Sequence, residues 1–578
     1  PIPEPGRGSA EALRRALLPA VTAELEWDNT RGQSEMTGFF AIGFADAGVS
    51  LLPEIDGIAG FEFAGRVSVA VPAAQGVRVV IGPDLHAALA ARVPHALFTT
   101  AGFAVTVPPG EKRTLPLALG WYVPEIVTGR LESRYYYTRC FASLLDVTQY
   151  ALARHAQRAQ WARELDAALQ AAPLNASQRF LVAHATRSYY GSSQLLDRAG
   201  EPFWVINEGE YCMMNTFDLS VDQVFFEMRT NPWVVRNILD NFVRHYSYVD
   251  EVRDAATGEV FPGGISFTHD MGVRNRFSPH GHSSYETRDI PGCFSYMTQE
   301  QLCNWILCAA TYVEGTGDDA WLRRNEAIVR ACLESMERRD HADPARRNGV
   351  MGLDSSRCGT GQEITTYDSL DASLGQARNN LYVAVKCWAA SLGIARMLRR
   401  AGDEATALRA EANADRTAES VCARFDANLG YIPALFEGDS QSAIIPAIEC
   451  LVFPMEWNAT DALDRCGRYG KLIQTLETHL KTILRPGLCL CEDQGWKLSS
   501  TSPNTWMSKI AICQHVAREL FGIDQPQADL AHERWQKEGS SYWAFCDQIW
   551  DGVGKGSKYY PRGVTAILWM KGETCWKR

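Results

Sequence analysis

The sequence predicts two parts, a β-sandwich followed by a toroid of inner and outer α-helices. Three observations carry that reading. Up to about residue 125 the apolar residues alternate with a period of two. From about residue 135 onward they recur at helical spacing, in helix pairs joined by Gly-Asp turns. Long loops rich in aromatic and polar residues connect the pairs. At 578 residues the chain is also too long for one ordinary core.

FEFAGRVSVAVP sets Phe61, Phe63, Val67, Val69 and Val71 two apart or nearly so. FAVTV, the turn PPGE and LPLALGW then read as strand, turn and strand, with Leu115, Leu117 and Leu119 on one face. Residues 1–125 are therefore expected to form a sandwich-like domain. The chain begins at Pro1 rather than at a methionine, so that domain is incomplete if an N-terminal piece lies outside the sequence.

CFASLLDVTQYALARHAQRAQWARELDAALQAAP, ending near Pro173, predicts a helical linker over 126–173. The toroid occupies 174–578. WVVRNILDNFVRHYSYV carries Val235, Ile238, Leu239, Phe242 and Tyr246 at i, i+3, i+4 spacing. Inner helices are expected to be apolar on most faces, as in QLCNWILCAATYV, and outer ones amphipathic, as in RRAGDEATALRAEANADRTAESV. A plain helical repeat protein is the simpler alternative. Irregular repeat lengths and 16 tryptophans favour a toroid with a pocket, its long loops gathered at one end.

The net charge of −11 argues against a nucleic-acid partner, since phosphate binding needs an excess of Lys and Arg on one face. No apolar run approaches the length a bilayer requires, so no membrane partner is expected. The N-terminus lacks the basic-then-apolar order of a signal peptide. The 16 cysteines are scattered without a CxxC pair, and only the spacing in LCLCED hints at a metal. They read as buried free thiols in a reducing compartment, which predicts a cytoplasmic protein. The sequons at Asn175 and Asn458 carry little weight without a secretion signal.

The sequence contains no P-loop, GxGxxG, HExxH or GxSxG pattern, and no cofactor is expected. It sets carboxylates among aromatic residues in loops. Sugars account for that combination. Aromatic faces stack on a pyranose, carboxylates and amides take its hydroxyls, and glycosidic cleavage needs two carboxyl groups across the bond.

WVINEGEYCMMNTFDL offers Glu208 and Glu210 on either side of one glycine, with Asn215 and Asp218 following. Either glutamate alone could be a surface residue or a cap of the helix beginning near Phe217. QEITTYDSLDASLGQARNN offers Asp368 and Asp371, of which Asp371 fits an N-cap. FPGGISFTHDMG carries His269 and Asp270 on a glycine-rich loop. LCEDQGWKLSSTSPNTW carries Glu492, Asp493, Trp496 and Trp506. KYYPRGVTAILW sets Arg562 beside two tyrosines.

NEGEYCMMNTFDLSVDQVFFE together with TTYDSLDASLGQARNNLYVAVKCWAA closely resembles glycoside hydrolase family 52, the bacterial β-xylosidases. A more distant likeness is to family 116, through its E-G-x-E-Y, N-T-x-D and T-Y-D segments and its H-D-x-G loop. The family 52 resemblance runs over most of the chain from about 180 onward. It implies a β-sandwich followed by an (α/α)6 barrel, a retaining mechanism, and release of xylose from the non-reducing end of xylo-oligosaccharides. It implies a nucleophile in the NEGEY segment, for which the family's spacing favours Glu208 over Glu210, and Asp368 as general acid/base. Thr366 and His269 match sugar-contacting positions, and Glu210, Asn215, Asp270, Glu492, Trp496 and Arg562 complete the expected substrate-binding set. A homodimer is compatible with the likeness.

Two other readings remain open. One is a β-glucosidase on the same scaffold. The other is a non-catalytic carbohydrate-binding helical protein, which would keep the aromatics without needing a carboxylate pair. No DDxxD or DxDD run supports a terpene cyclase.

Overall fold

The computed structural model describes residues 1–44, 47–53, 57–90, 99–288, 290, 294–359, 361–367 and 375–570. The protein is a mixed α and β molecule of two compact units. The first takes in Pro1–Val127, Glu132–Ala171 and Leu195–Pro202, the second Thr128–Leu131, Ala172–Gln194 and Phe203–Arg578.

Among the described residues, the body of the first unit is formed by the strands β1 Ala20–Asp28, β2 Met36–Gly43, β3 Val49–Leu51, β4 Ile58–Phe63, β5 Val67–Pro72, β6 Val77–Gly82, β7 Thr100–Val107 and β8 Lys112–Trp121. They form two antiparallel sheets, β1-β8-β5-β4-β3 and β2-β7-β6. Phe61, Phe63, Val69, Val71 and Leu117 of the first sheet meet Ile81, Ala101 and Phe103 of the second in one core. The period-two pattern thus sets one face of each sheet inward.

Ala70 and Ala118 lie on the opposite face of the first sheet and are also fully buried. The helix Leu144–Ala153 covers that face, with Val147 and Ala151 against Ala20 and Ala118. The side-chain oxygens of Thr148 and Ser68 lie 2.6 Å apart beneath it. Most of the segment expected as a linker, Glu132–Ala171, therefore belongs to this unit, and its helix Leu144–Ala153 packs into the core.

In the second unit the helices alternate in character. Phe217–Thr230, Thr298–Thr316, Leu381–Ala401 and Met507–Phe521 are buried almost all round. So are the two tighter 3-10 helices Ile445–Leu451 and Pro561–Trp569. Each of these six packs on the next, and the last packs on the first. Between them come helices with one apolar face: Pro232–His245, Asp319–Asp340, Glu404–Ala423, Gly470–Ile483 and Pro526–Lys537. Ala176–Ser192, ahead of the series in the chain, packs on Pro561–Trp569 and completes the sixth pair.

Leu381–Ala401 corrects one expectation. It is long and apolar enough to cross a membrane, yet its apolar window is 94% buried within the protein. A helix surrounded by other helices must be apolar on every side, and that satisfies the same compositional test. Its N-cap is Asn380, whose side chain accepts from the backbone N–H groups of Tyr382 and Val383. Asp371, expected as a cap, lies outside the described residues.

Candidate active site

The strand residues Phe203–Ile206 are buried, and the chain turns back sharply after them. Asn215 makes the turn. It has a φ of +50°, its N–H donates to Ile206 O, its Oδ1 accepts from Ile206 N at 2.8 Å, and its Nδ2 donates to Trp204 O at 2.9 Å. An amide that pairs with backbone on both edges has little left for a sugar, so Asn215 shapes the loop rather than offering the contact expected of it. Gly209, at φ +52°, allows the close approach of another segment: a Cβ there would sit 2.2 Å from Lys558 O.

Glu208 is partly buried inside this turn. Its Oε1 accepts from the Tyr560 hydroxyl at 2.8 Å and its Oε2 from the Thr216 hydroxyl at 3.0 Å. Thr216 occupies the N-cap position of Phe217–Thr230 but makes no capping bond. Its hydroxyl is directed to Glu208 instead. Burial and the charge of Asp218 push the Glu208 carboxyl up to about 7, against the opposing pull of His269 and of the two hydroxyl donors.

Glu210 points the other way. Its side chain is 49% exposed, and the Lys558 backbone N–H, with Lys558 Nζ 2.9 Å from Oε2, holds its carboxyl below the usual range. The two glutamates on either side of Gly209 are thus divided between pocket and surface, and the expected substrate contact from Glu210 is not formed.

Beside Glu208 lies Asp218, in the first turn of its helix. Asp218 Oδ2 accepts from the Thr366 hydroxyl at 2.6 Å and is 3.5 Å from Arg562 Nη1. Its Oδ1 is 3.5 Å from His269 Nε2 and has no hydrogen-bond partner. Burial opposes its charge, but His269, Arg562 and Thr366 outweigh burial and hold it low. His269 Nδ1 sits 2.9 Å from Asp270 Oδ2. Burial lowers its basicity, yet the Asp270 hydrogen bond and the charges of Asp218, Asp270 and Glu208 raise it to about 9, so His269 is an imidazolium at neutral pH. Asp270 also accepts from Gly272 N, Ser284 N and the Ser284 hydroxyl. Its oxygens are committed, and it orients His269 rather than meeting a ligand itself.

Arg562 is fully buried and grips Asp547 through Nε and Nη2 at 3.0 and 2.7 Å. Its guanidinium lies over the Trp506 ring at 4.4 Å. Behind this layer, Thr366 N donates to Glu300 Oε2 at 2.8 Å, and Glu300 Oε1 accepts from Lys386 and Tyr382. The Tyr367 hydroxyl donates to Glu449 at 2.7 Å. Lys509 Nζ then bridges Glu449 and Asp222, each at 2.8 Å. All six buried helices give residues to this cluster: Asp218 and Asp222, Glu300, Tyr382 and Lys386, Glu449, Lys509, and Arg562. Removing Lys509 would take the bonded cation from two buried carboxylates, leaving Asp222 a longer contact of 3.9 Å to Arg562. Lys509→Met is therefore expected to lower the unfolding free energy by about 3–5 kcal/mol, read from urea titration.

Among the expected site residues, Glu208, His269, Asp270, Thr366 and Arg562 come together. Trp496 does not join them. It is 1% exposed, with its indole N–H on Gln525 and its backbone N–H on His532, and it packs as a core residue. Glu492 is exposed. Asp368 lies outside the described residues. In the sequence Asp218 and the two tyrosines before Arg562 stand out without an assigned role, and Thr216 and the buried lysines carry no signal of their own.

The family model described as glycosyl hydrolase family 52 matches residues 1–312. A β-xylosidase of Geobacillus stearothermophilus is 46% identical over 585 residues, covering 99% of this chain and 82% of that protein. The chain belongs to glycosyl hydrolase family 52. A second β-xylosidase from the same organism is 42% identical over 413 residues, 70% of this family 52 chain and 66% of its own length. A solved rhamnosidase from Klebsiella oxytoca with rhamnose bound aligns at a TM-score of 0.43 with 10% identity, over 96% of each chain.

Proposed function

We propose that this family 52 protein is a retaining β-xylosidase that removes xylose from the non-reducing end of xylo-oligosaccharides. The observation that carries the reading is the buried Glu208 carboxylate, held by two hydroxyl donors beside the Asp218–His269 pair. The 46% identity to a β-xylosidase supports the substrate.

In this reading Glu208 attacks the anomeric carbon, and the aglycone is expelled through an oxocarbenium-like transition state. Tyr560 and Thr216 hold the carboxylate in place, each on its own oxygen. Asp368, next in sequence after Thr366 and Tyr367, protonates the leaving oxygen. The bond between the anomeric carbon and the leaving oxygen breaks as the ester to Glu208 forms. Asp368, now a carboxylate, takes a proton from water, which attacks the same carbon and frees Glu208. Retention requires the two carboxyl groups to lie about 5–5.5 Å apart.

Asp218 Oδ1 has room to accept a hydrogen bond, and the His269 imidazolium can donate one. Together they suit adjacent hydroxyls of a terminal sugar. Attack needs Glu208 ionised, so activity is expected to fall as pH drops below about 7.

The ring of six buried helices, each paired with an amphipathic one, supports an (α/α)6 barrel for the second unit. The shared core of the two antiparallel sheets supports a sandwich for the first. A 2-fluoroxyloside with a good leaving group tests the function. The expected result is a stable ester, with the mass label on the peptide bearing Glu208. A label elsewhere, or none, would remove the assignment, and a higher rate on nitrophenyl glucoside than on nitrophenyl xyloside would change the sugar.

A further inference from the structure

The turn at 208–210 and the segment at 557–560 lie against each other with an antiparallel register. Glu208 faces Tyr560 on the pocket side. Glu210 faces Lys558 on the solvent side, through Lys558 Nζ at 2.9 Å and Lys558 N at 3.0 Å. Between these pairs the backbones are locked. Glu210 N donates to the Ser557 hydroxyl at 2.6 Å and to Lys558 O at 3.1 Å, and the Ser557 hydroxyl donates to Glu208 O at 3.1 Å. Gly209, at φ +52° at the head of the turn Gly209–Tyr211, reverses the chain between the two glutamates, so the backbone bonds that fix the outer contact also fix the inner one. The path from Lys558 to Tyr560 is strained at Tyr559, whose φ is +55°. A non-glycine residue in that region persists only when its surroundings hold it there.

We propose that Glu210 is a positioning residue, which closes on Lys558 at the surface and thereby keeps the Tyr560 hydroxyl on Glu208. This rests on the reading of Glu208 as the nucleophile. Tyr560 donates to the charged form of Glu208 and so favours it. Among the described residues, the other titratable groups acting on Glu208 are Asp218, His269 and Tyr211, and none of them lies on the 557–560 segment.

The sign of one measurement separates this role from simple electrostatics. Deleting the Glu210 charge at a distance would ease ionisation of Glu208 and move the acidic limb of the kcat/KM profile to lower pH. Losing the Tyr560 hydrogen bond would make ionisation harder and move that limb to higher pH. Tyr560→Phe is expected to raise the limb by about one to two pH units, the usual worth of a hydrogen bond to a charged group. Glu210→Ala and Lys558→Met are expected to raise it in the same direction, by no more than Tyr560→Phe. Glu210→Gln, which still accepts from Lys558 N–H, should recover part of the shift. In the double variant with Tyr560→Phe, Glu210→Ala should add nothing, because residues acting through one contact are not additive.

A limb that stays or falls in both Glu210→Ala and Lys558→Met overturns the proposal, as does full additivity in the double variant. Glu208→Gln is measured alongside. If it keeps turnover, the nucleophile reading is what fails. If it is inactive while the Glu210→Ala limb does not rise, only the positioning role fails.

Discussion

Glu208→Gln is expected to lose at least ~10⁴-fold in kcat on xylosides while the protein remains folded. The amide is nearly isosteric and can still accept from Tyr560 or Thr216, but it cannot form the glycosyl ester. The change should not cost stability. The native carboxylate is buried beside Asp218, a like charge that works against its ionisation. A neutral side chain removes that repulsion, so Tm should be unchanged or higher. An inactive protein of equal or greater Tm is a pattern that a packing defect does not produce. In Glu208→Ala the vacated space can admit azide, and the expected product is the α-xylosyl azide. If Glu210→Gln is dead while Glu208→Gln is nearly normal, the two glutamates have been assigned the wrong way round.

Asp368→Ala tests the other half of the reaction. General acid catalysis is worth about 10²–10⁴-fold, and its loss is felt where the leaving group needs a proton. Xylobiose and alkyl xylosides should lose that factor. Dinitrophenyl xyloside, whose leaving group departs as a stable anion, should form the glycosyl-enzyme at close to the normal rate. Hydrolysis of that intermediate then becomes slow, because no base activates the water. A burst of phenolate followed by a low steady rate is the expected trace, and azide should restore turnover with formation of the β-xylosyl azide. A uniform loss on all substrates would move the acid/base role to another residue.

Legibility in the sequence followed how local each interaction is. The alternation that exposes Phe61, Phe63, Val69 and Val71 as one face is written within a dozen residues, and all four are buried. Ala70, Ala118 and Gly120 read only as weak strand residues. Their small size becomes intelligible once the helix Leu144–Ala153 lies over them: a Cβ at Gly120 would come within 3.2 Å of Val147. The paired helices were visible from their contrasting polarity, which is again a local property.

The site was legible where it stood in a loop with an unusual neighbourhood, as at Glu208 and His269. Asp218 was concealed because an acid in the first turn of a helix is ordinary and needs no further explanation. Lys386 and Lys509 were concealed inside apolar helical runs, since their partners Glu300, Glu449 and Asp222 belong to other helices. Trp496 misled for the converse reason. An aromatic residue in a polar loop resembles a sugar platform until its indole is found bonded to Gln525.

The site and the buried charge cluster behind it, between positions 208 and 562, together draw on every member of the closed circle of buried helices. No contiguous fragment of the chain holds a working subset of them. Catalysis in this protein therefore behaves as an all-or-none gauge of the circle's integrity, and a displacement of any one member, however distant from the sugar, registers as a loss of rate before it registers as a loss of helix content.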